Sequence, residues 1–366
     1  MKRREFLQKA GGVSAAGASV IALPAPAIAR RRKEMVILSS FARDAPGIGT
    51  GSQRLAKRIE ALSEGAIKTI FYAAGEKVGP FDVFDEVVSG NADAYVSGEY
   101  YWKGKHPAFA YFTTVPFGMT FAERSCWIQY AGGQDLWDEV SGKFGLKALP
   151  CGATGTQMAG WFNKEINSIE DFNGLKMRIP GLGGDVMAKL GVSPISLPGT
   201  QVYESIVNGT IDAIEWMGPY ADYYMKLYEA AKYYYYPGMH EPDAQQALGM
   251  NKAWWSGLTP WEQTVITTAA LEQSSGQYFE IQSKNGYYLK KMIEENGITL
   301  RRFDEEIFDA FGEAAKEVMQ QTRDYDALTA KVHDHFTATL QEIGYWQGIS
   351  EVAYVTQRNR VLGFGD

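Results

Sequence analysis

A chain of 366 residues, 45% hydrophobic and 13% aromatic, can bury a large core but is long for one domain, so two lobes are the default expectation. The formal net charge is −7, and removing residues 1–29, with four basic groups and one acidic, takes it to −10. Such an acidic surface argues against nucleic acid or anionic membrane as partner, and means that any anion site must be built locally.

The chain opens with Lys2-Arg3-Arg4-Glu5-Phe6-Leu7, a small and apolar stretch over residues 10–23, and Ala27-Ile28-Ala29. A basic n-region, a short h-region and an A-x-A cleavage site make residues 1–29 an export signal, and the paired arginines point to the twin-arginine route and the periplasm. No later stretch approaches about 20 apolar residues, so the exported protein is expected to be soluble. Without a Cys after the h-region, no lipid anchor is expected.

Residues 35–41 read as a strand, 52–63 as a helix with Leu55, Ile59 and Leu62 on one face, and 67–72 as a strand, which is the unit of a parallel sheet. Next comes one copy of a weak repeat: Val83-Phe84-Asp85-Glu86-Val87-Val88-Ser89-Gly90-Asn91-Ala92-Asp93-Ala94 lines up with Val202-Tyr203-Glu204-Ser205-Ile206-Val207-Asn208-Gly209-Thr210-Ile211-Asp212-Ala213. Each copy predicts a helix, a glycine cap and then a short strand, once per half, as two lobes of similar α/β design require. Residues 146–151, 175–179 and 211–216 are further predicted strands, and a helix opens near Gly184 and ends at Leu190-Gly191. From Trp254 the pattern is helical, over 260–273, 278–296, 304–323 and 327–342. The expected division is a first lobe over 30–150, a second over 151–250 and a bracing helical region over 251–366. Cys126 and Cys151 are expected to be two buried free thiols.

In open α/β sheets ligands bind beyond the carboxyl ends of strands and between domains, which directs attention to residues 95–102 and 214–219. Glu215 lies between Ile214 and Trp216, where a strand should bury apolar side chains, and a buried carboxylate needs a partner or a metal. Arg178 sits between Met177 and Ile179, Gln157 follows Gly155-Thr156, and Glu241 ends the aromatic run that begins at Tyr233. Taken singly, each has an ordinary reading as a solvated or paired polar residue.

Together these stretches resemble a family. Gly160-Trp161-Phe162-Asn163-Lys164-Glu165-Ile166, Gly174-Leu175-Lys176-Met177-Arg178-Ile179-Pro180-Gly181, Asn208-Gly209-Thr210-Ile211-Asp212-Ala213-Ile214-Glu215-Trp216 and Tyr234-Tyr235-Tyr236-Pro237-Gly238 are similar to the periplasmic substrate-binding proteins of TRAP transporters. The likeness is to the branch that binds 2-oxo acids such as pyruvate, with lactate-binding relatives. It implies a two-lobed Venus-flytrap architecture, with a cleft for a small organic acid anion delivered to membrane permease subunits. It implies that Arg178 grips the substrate carboxylate, that Gln157 touches substrate and ion, and that Glu215 and Trp216 supply a carboxylate and a backbone carbonyl to a cation. Glu241 is a further acidic residue of the same site. One departure is local: His240 stands where a bulky aromatic often precedes the acid.

The chemistry agrees with the resemblance. An arginine fork matches a carboxylate, and the oxygen ligands of Glu215, Gln157, Trp216 and Glu241 suit a hard cation, Na+ or Ca2+. Zinc is disfavoured, because His106, His240, His333 and His335 show no ligand spacing. Tyr100, Tyr101 and Trp102 are candidates for the first-lobe wall, Tyr101 foremost, with a core role as the alternative; residues 233–236 read as strand and core. A nucleotide-dependent enzyme would rest on Gly181-Leu182-Gly183-Gly184-Asp185, where Val186 replaces the third glycine of G-x-G-x-x-G. A receptor for another organic acid, a 2-hydroxy, aromatic or sugar acid, would keep Arg178 and change only the wall. The segment from Leu340 to Arg360 resembles one through which some relatives exchange a helix to form homodimers.

Overall fold

The computed structural model describes residues 32–364, so the export signal expected at 1–29 lies outside the described residues. Strand β1 (Lys33–Ser39) runs into the helix Ile48–Leu62 and strand β2 (Ile67–Tyr72), and β1 pairs in parallel with β2 and with β3 (Ala94–Ser97).

The sequence repeat is a bracket built twice. The helix Val83–Val88 gives way to Gly90 at φ 81°, after which Asp93 donates its N–H to Val36 O (3.1 Å) and accepts the Val36 N–H on Oδ2 (2.7 Å). The helix Gly199–Val207 gives way to Gly209 at φ 74°, and Asp212 donates to Lys176 O (2.7 Å) and accepts Lys176 N–H on Oδ2 (2.9 Å). Glycine takes the left-handed turn without a Cβ penalty, and the aspartate then ties both backbone groups of one residue on a neighbouring strand.

The remaining strands are β4 (Leu146–Ala153), β5 (Gly160–Phe162), β6 (Lys176–Arg178), β7 (Ser193–Ile195), β8 (Ala213–Ile214), β9 (Tyr233–Tyr236), β10 (Gln245–Asn251) and β11 (Thr299–Arg302). The first sheet has the order β2-β1-β3-β10-β4 and the second β11-β9-β5-β8-β6-β7. Two assignments differ from the division expected from sequence. Residues 245–250, assigned to the second lobe, lie in β10 inside the first sheet, antiparallel to β3 and β4 on either side. Residues 299–302, assigned to the helical region, form β11 at the edge of the second sheet, parallel to β9. Both strands pair with partners far away in sequence, so local pattern carries no sign of their sheet.

The predicted helices over 260–273 and 278–296 are one helix, Pro260–Asn296, capped by Thr259 and Glu262. Its polar middle faces inward and is satisfied there: Gln277 Nε2 donates to Ala153 O of β4 (3.3 Å), and Gln273 Oε1 accepts from Arg54 Nε (2.7 Å). Further along, Asn285 Oδ1 accepts from Tyr220 N of the second lobe (3.0 Å), so one helix braces both lobes. The helices Glu305–Arg323 and Ala327–Gln347 follow. The last helix, Ala353–Leu362, has no buried residue, and Tyr345, Trp346, Ile349 and Val352 before it are exposed. Cys126 and Cys151 are both free, but Cys126 is exposed rather than buried. Among the described residues no helix is long and apolar enough to cross a membrane.

Candidate functional site

Strands β6 and β8 run in parallel with Arg178 opposite Ile214, so Arg178 and Glu215 come together where both strands end. Each is 1% exposed. Arg178 Nη1 donates to Glu215 Oε2 (2.8 Å) and to Glu215 O (2.6 Å), and Nε donates to Leu197 O (3.3 Å). Its guanidinium carbon lies 5.1 Å from the Trp216 ring centroid, a cation–π distance. Burial pulls the Arg178 pKa down, but the Glu215 carboxylate outweighs it with help from Tyr101, Tyr100 and Glu241, and the net direction is upward. The arginine therefore stays charged, and among the described residues Nη2 has no hydrogen-bond partner.

Gln157 and Glu241 approach from the two loops that flank β4 and β10. The backbone N–H of Gln157 donates to Glu241 O (3.1 Å), and its Nε2 donates to Glu241 Oε2 (2.7 Å) and Thr154 Oγ1 (3.0 Å). Behind them Arg124 pairs with Asp243, whose Oδ1 accepts the Gly155 N–H (2.6 Å), which ties the two loops together. Burial first, and then the Glu215 charge, push Glu241 well above the usual carboxylate range.

A cation fits this group on structural grounds. Gln157 Oε1, Glu241 Oε1 and His240 Nε2 are buried and have no hydrogen-bond partner, which in a native interior asks for a water or an ion. One ligand atom from each of Glu215, His240 and Glu241 lies within 4.8 Å of the others. Gln157, Glu215 and Glu241 are thus brought together as expected. Trp216 contributes its ring to the wall beside Arg178.

The cavity is small and takes walls from both lobes. From the first lobe the short helix Glu99–Trp102 turns Tyr100 and Tyr101 toward it, while Trp102 points into the core, donating Nε1 to Phe81 O (2.9 Å) and packing on Phe84 (4.9 Å). Tyr101 therefore lines the cavity and Trp102 does not. The tyrosine run is strand β9; Tyr234, stacked on Trp161 at 3.9 Å, and Tyr235 are core, while Tyr236 is exposed. A neighbouring apolar chamber shares Phe41, Ile48, Tyr101 and Trp216 with the cavity. Gln245 and Gln246 of β10, Thr154 and Phe41 also line the cavity and were not singled out from sequence. The two glutamines carried the same signal as Glu215, polar residues inside an otherwise apolar strand.

Gly181 sits at an interlobe contact: it has φ 67°, and a Cβ there would meet Tyr100 Cδ2 at 2.5 Å. Beside it Lys103 Nζ donates to Gly181 O (3.0 Å) and pairs with Asp185 across the cleft. In the same run, a Cβ on Gly183 would meet His240 Cβ at 2.6 Å.

Comparison with known proteins places the molecule. Residues 38–326 match the DctP model, bacterial extracellular solute-binding protein, family 7. A monocarboxylate 2-oxoacid-binding periplasmic protein of Nostoc sp. (strain PCC 7120) is 35% identical over 308 residues, 84% of each chain. The TRAP periplasmic solute-binding protein of Pseudoalteromonas atlantica, solved with sodium and pyruvate, is 34% identical with a TM-score of 0.86, over 89% of this chain and 99% of that one. A TRAP solute-binding protein of Bordetella bronchiseptica, a mixed-occupancy dimer with calcium and picolinate, is 29% identical with a TM-score of 0.89, over 91% of this chain and 98% of that one. With its two α/β lobes closed around a buried arginine and a cluster of cation-type ligands, the chain belongs to the DctP family of TRAP solute-binding proteins.

Proposed function

We propose that this periplasmic receptor captures a small monocarboxylate, a 2-oxo acid such as pyruvate, together with Na+ or Ca2+, and hands it to the membrane permease subunits of a TRAP transporter. The observation that carries the reading is the buried Arg178–Glu215 pair facing Gln157 and Glu241 inside the interlobe cavity. Arg178 binds the carboxylate, Tyr101 and Trp216 close the walls, and Gln157, Glu215, Glu241 and the Trp216 carbonyl hold the ion. The ion cancels charge, so that two glutamates do not repel an incoming anion. The lobes close by a hinge around the occupied site, and the permease favours the open form for release. The protein is a receptor with no catalytic residue. The exposed large apolar side chains of the C-terminal segment, among them Trp346, Ile349, Val352 and Tyr354, are covered by a second copy in a homodimer.

A thermal-shift panel with Na+ or Ca2+ present tests the ligand. Pyruvate at about 100 times its dissociation constant adds roughly 2.7 kcal/mol, a rise of several degrees. A second reading, an aromatic acid, is favoured by the apolar chamber beside Trp216 and by picolinate in the Bordetella relative. It wins if picolinate shifts the melting point and 2-oxo acids do not.

A further inference from the structure

We propose that His240 Nε2 is a further protein ligand of the cation site, beside the oxygen ligands named above, and extends the range of that site from Na+ and Ca2+ to borderline first-row divalent ions, Co2+ and Zn2+. The inference rests on the receptor reading above and deepens it.

His240 is 3% exposed, and its Nε2 lies 3.5 Å from Glu215 Oε1. No hydrogen bond joins the two, so Nε2 is a buried nitrogen without a hydrogen-bond partner, as Glu241 Oε1 is a buried oxygen without one. Leaving such atoms bare costs the desolvation of each, and one bound ion satisfies them together. Two ligands of one metal, each at about 2.0–2.4 Å, can be no more than about 4.8 Å apart. The ligand atoms of Glu215, His240 and Glu241 meet that limit pairwise.

The imidazole cannot easily swing away. Its Cε1 would be 2.9 Å from a Cβ on Gly238, and its Cβ 2.6 Å from one on Gly183, so glycines on two sides let the ring sit where it does. Behind it lies an apolar pocket lined by Phe162, Met177 and Met239, which offers the ring nitrogens no alternative polar partner. An all-oxygen site suits Na+ and Ca2+, whereas an imidazole with two carboxylates is a donor set for zinc-like ions, whose affinities rise along the Irving–Williams order. The sequence spacing of the four histidines argued against zinc, but the fold supplies the missing ligands from Glu215, distant in sequence.

The test uses the full exported chain with its affinity tag removed. Metal affinities are measured by calorimetry in the presence of pyruvate, and the visible spectrum of the Co2+ form is recorded. The expected result is that Co2+ and Zn2+ displace Ca2+ with affinities at least about tenfold higher. His240→Phe and His240→Gln should then each lower Co2+ affinity at least about tenfold more than Ca2+ affinity and alter the Co2+ spectrum. Two variants of different shape are used so that misfolding of one leaves the other informative. Failure of Co2+ and Zn2+ to displace Ca2+ while Ca2+ and pyruvate still bind overturns the role of His240 and leaves the receptor reading intact. Equal losses for Co2+ and Ca2+ in both variants overturn it as well. Absence of any ion or pyruvate binding overturns the receptor reading itself.

Discussion

Replacing Arg178 by alanine tests two consequences of one buried pair, and they can be separated. The side chain anchors Glu215 through Nη1 at 2.8 and 2.6 Å while both residues are 1% exposed, so its removal leaves a carboxylate in the protein interior without its counter-charge. Breaking such a pair costs about 3–5 kcal/mol, and at roughly 2 °C per kcal/mol for a protein of this size the melting point should fall by about 6–10 °C. The ligand carboxylate also loses its charged donor. Truncating one partner of a desolvated, hydrogen-bonded charge pair costs about 2–5 kcal/mol of binding, a loss of about 30- to 4,000-fold in affinity. The assay is calorimetric titration with pyruvate alongside thermal unfolding, for Arg178→Ala and for the double variant Arg178→Ala with Glu215→Gln. The double variant removes the stranded charge, so it should recover most of the lost stability and none of the affinity. Pyruvate affinity within threefold of wild type in Arg178→Ala, or recovery of affinity in the double variant, would refute the assignment of the anion site.

Three further outcomes follow from other parts of the molecule. Lys103→Ala removes the interlobe contact to Gly181 O and Asp185; because that pair is 32% and 45% exposed it is worth at most about 1 kcal/mol. Affinity should drop up to about fivefold at low ionic strength and less at high salt, and an unchanged low-salt titration would show that the contact does not favour closure. Burial, partly offset by donors from Tyr95 and Trp137, pushes Glu99 up from 4.5 to about 7. The folded state then keeps a proton that the unfolded chain releases, so this stabilising contribution is full below pH 4.5 and about 3 kcal/mol of it is lost as pH rises to 7. Glu99→Gln should flatten denaturation midpoints across that window, while Asp222, also raised to about 7, keeps a residual slope; an unaltered slope would exclude Glu99 as its source. Deleting residues 348–366 should convert dimer to monomer in sedimentation without loss of pyruvate binding, and identical sedimentation of both forms would remove the C-terminal helix from the interface.

The polar residues of the cavity divide into those a reader of the sequence can find and those that need the fold. Glu215 and Arg178 stand out because a charge inside an apolar strand is costly, and the repeated Asp-Ala marks where each strand ends. Gln245 and Gln246 carry the same signal but sit in β10, whose place between β3 and β4 depends on pairing with strands distant in sequence, Met250 with Ala94 and Asn251 with Leu146. Tyr100 and Tyr101 could not be told from Trp102 by composition. The short helix Glu99–Trp102 distributes them between cleft and core through its turn.

The sequence by itself determined the α/β units and the repeated helix, glycine and Asp-Ala of each half, because these depend on periodicity and capping within a few residues of chain; the family and the candidate site residues Gln157, Arg178, Glu215 and Glu241 were implied by the resemblance of several short motifs in order. Only the tertiary structure decided that β10 returns to the first sheet and β11 joins the second, that Lys103 reaches Asp185 across the cleft, and that His240 lies against Glu215. Those facts depend on which distant segments share a buried surface, and hydrophobic burial is non-directional: it sets which side chains leave water, and close packing then selects their neighbours.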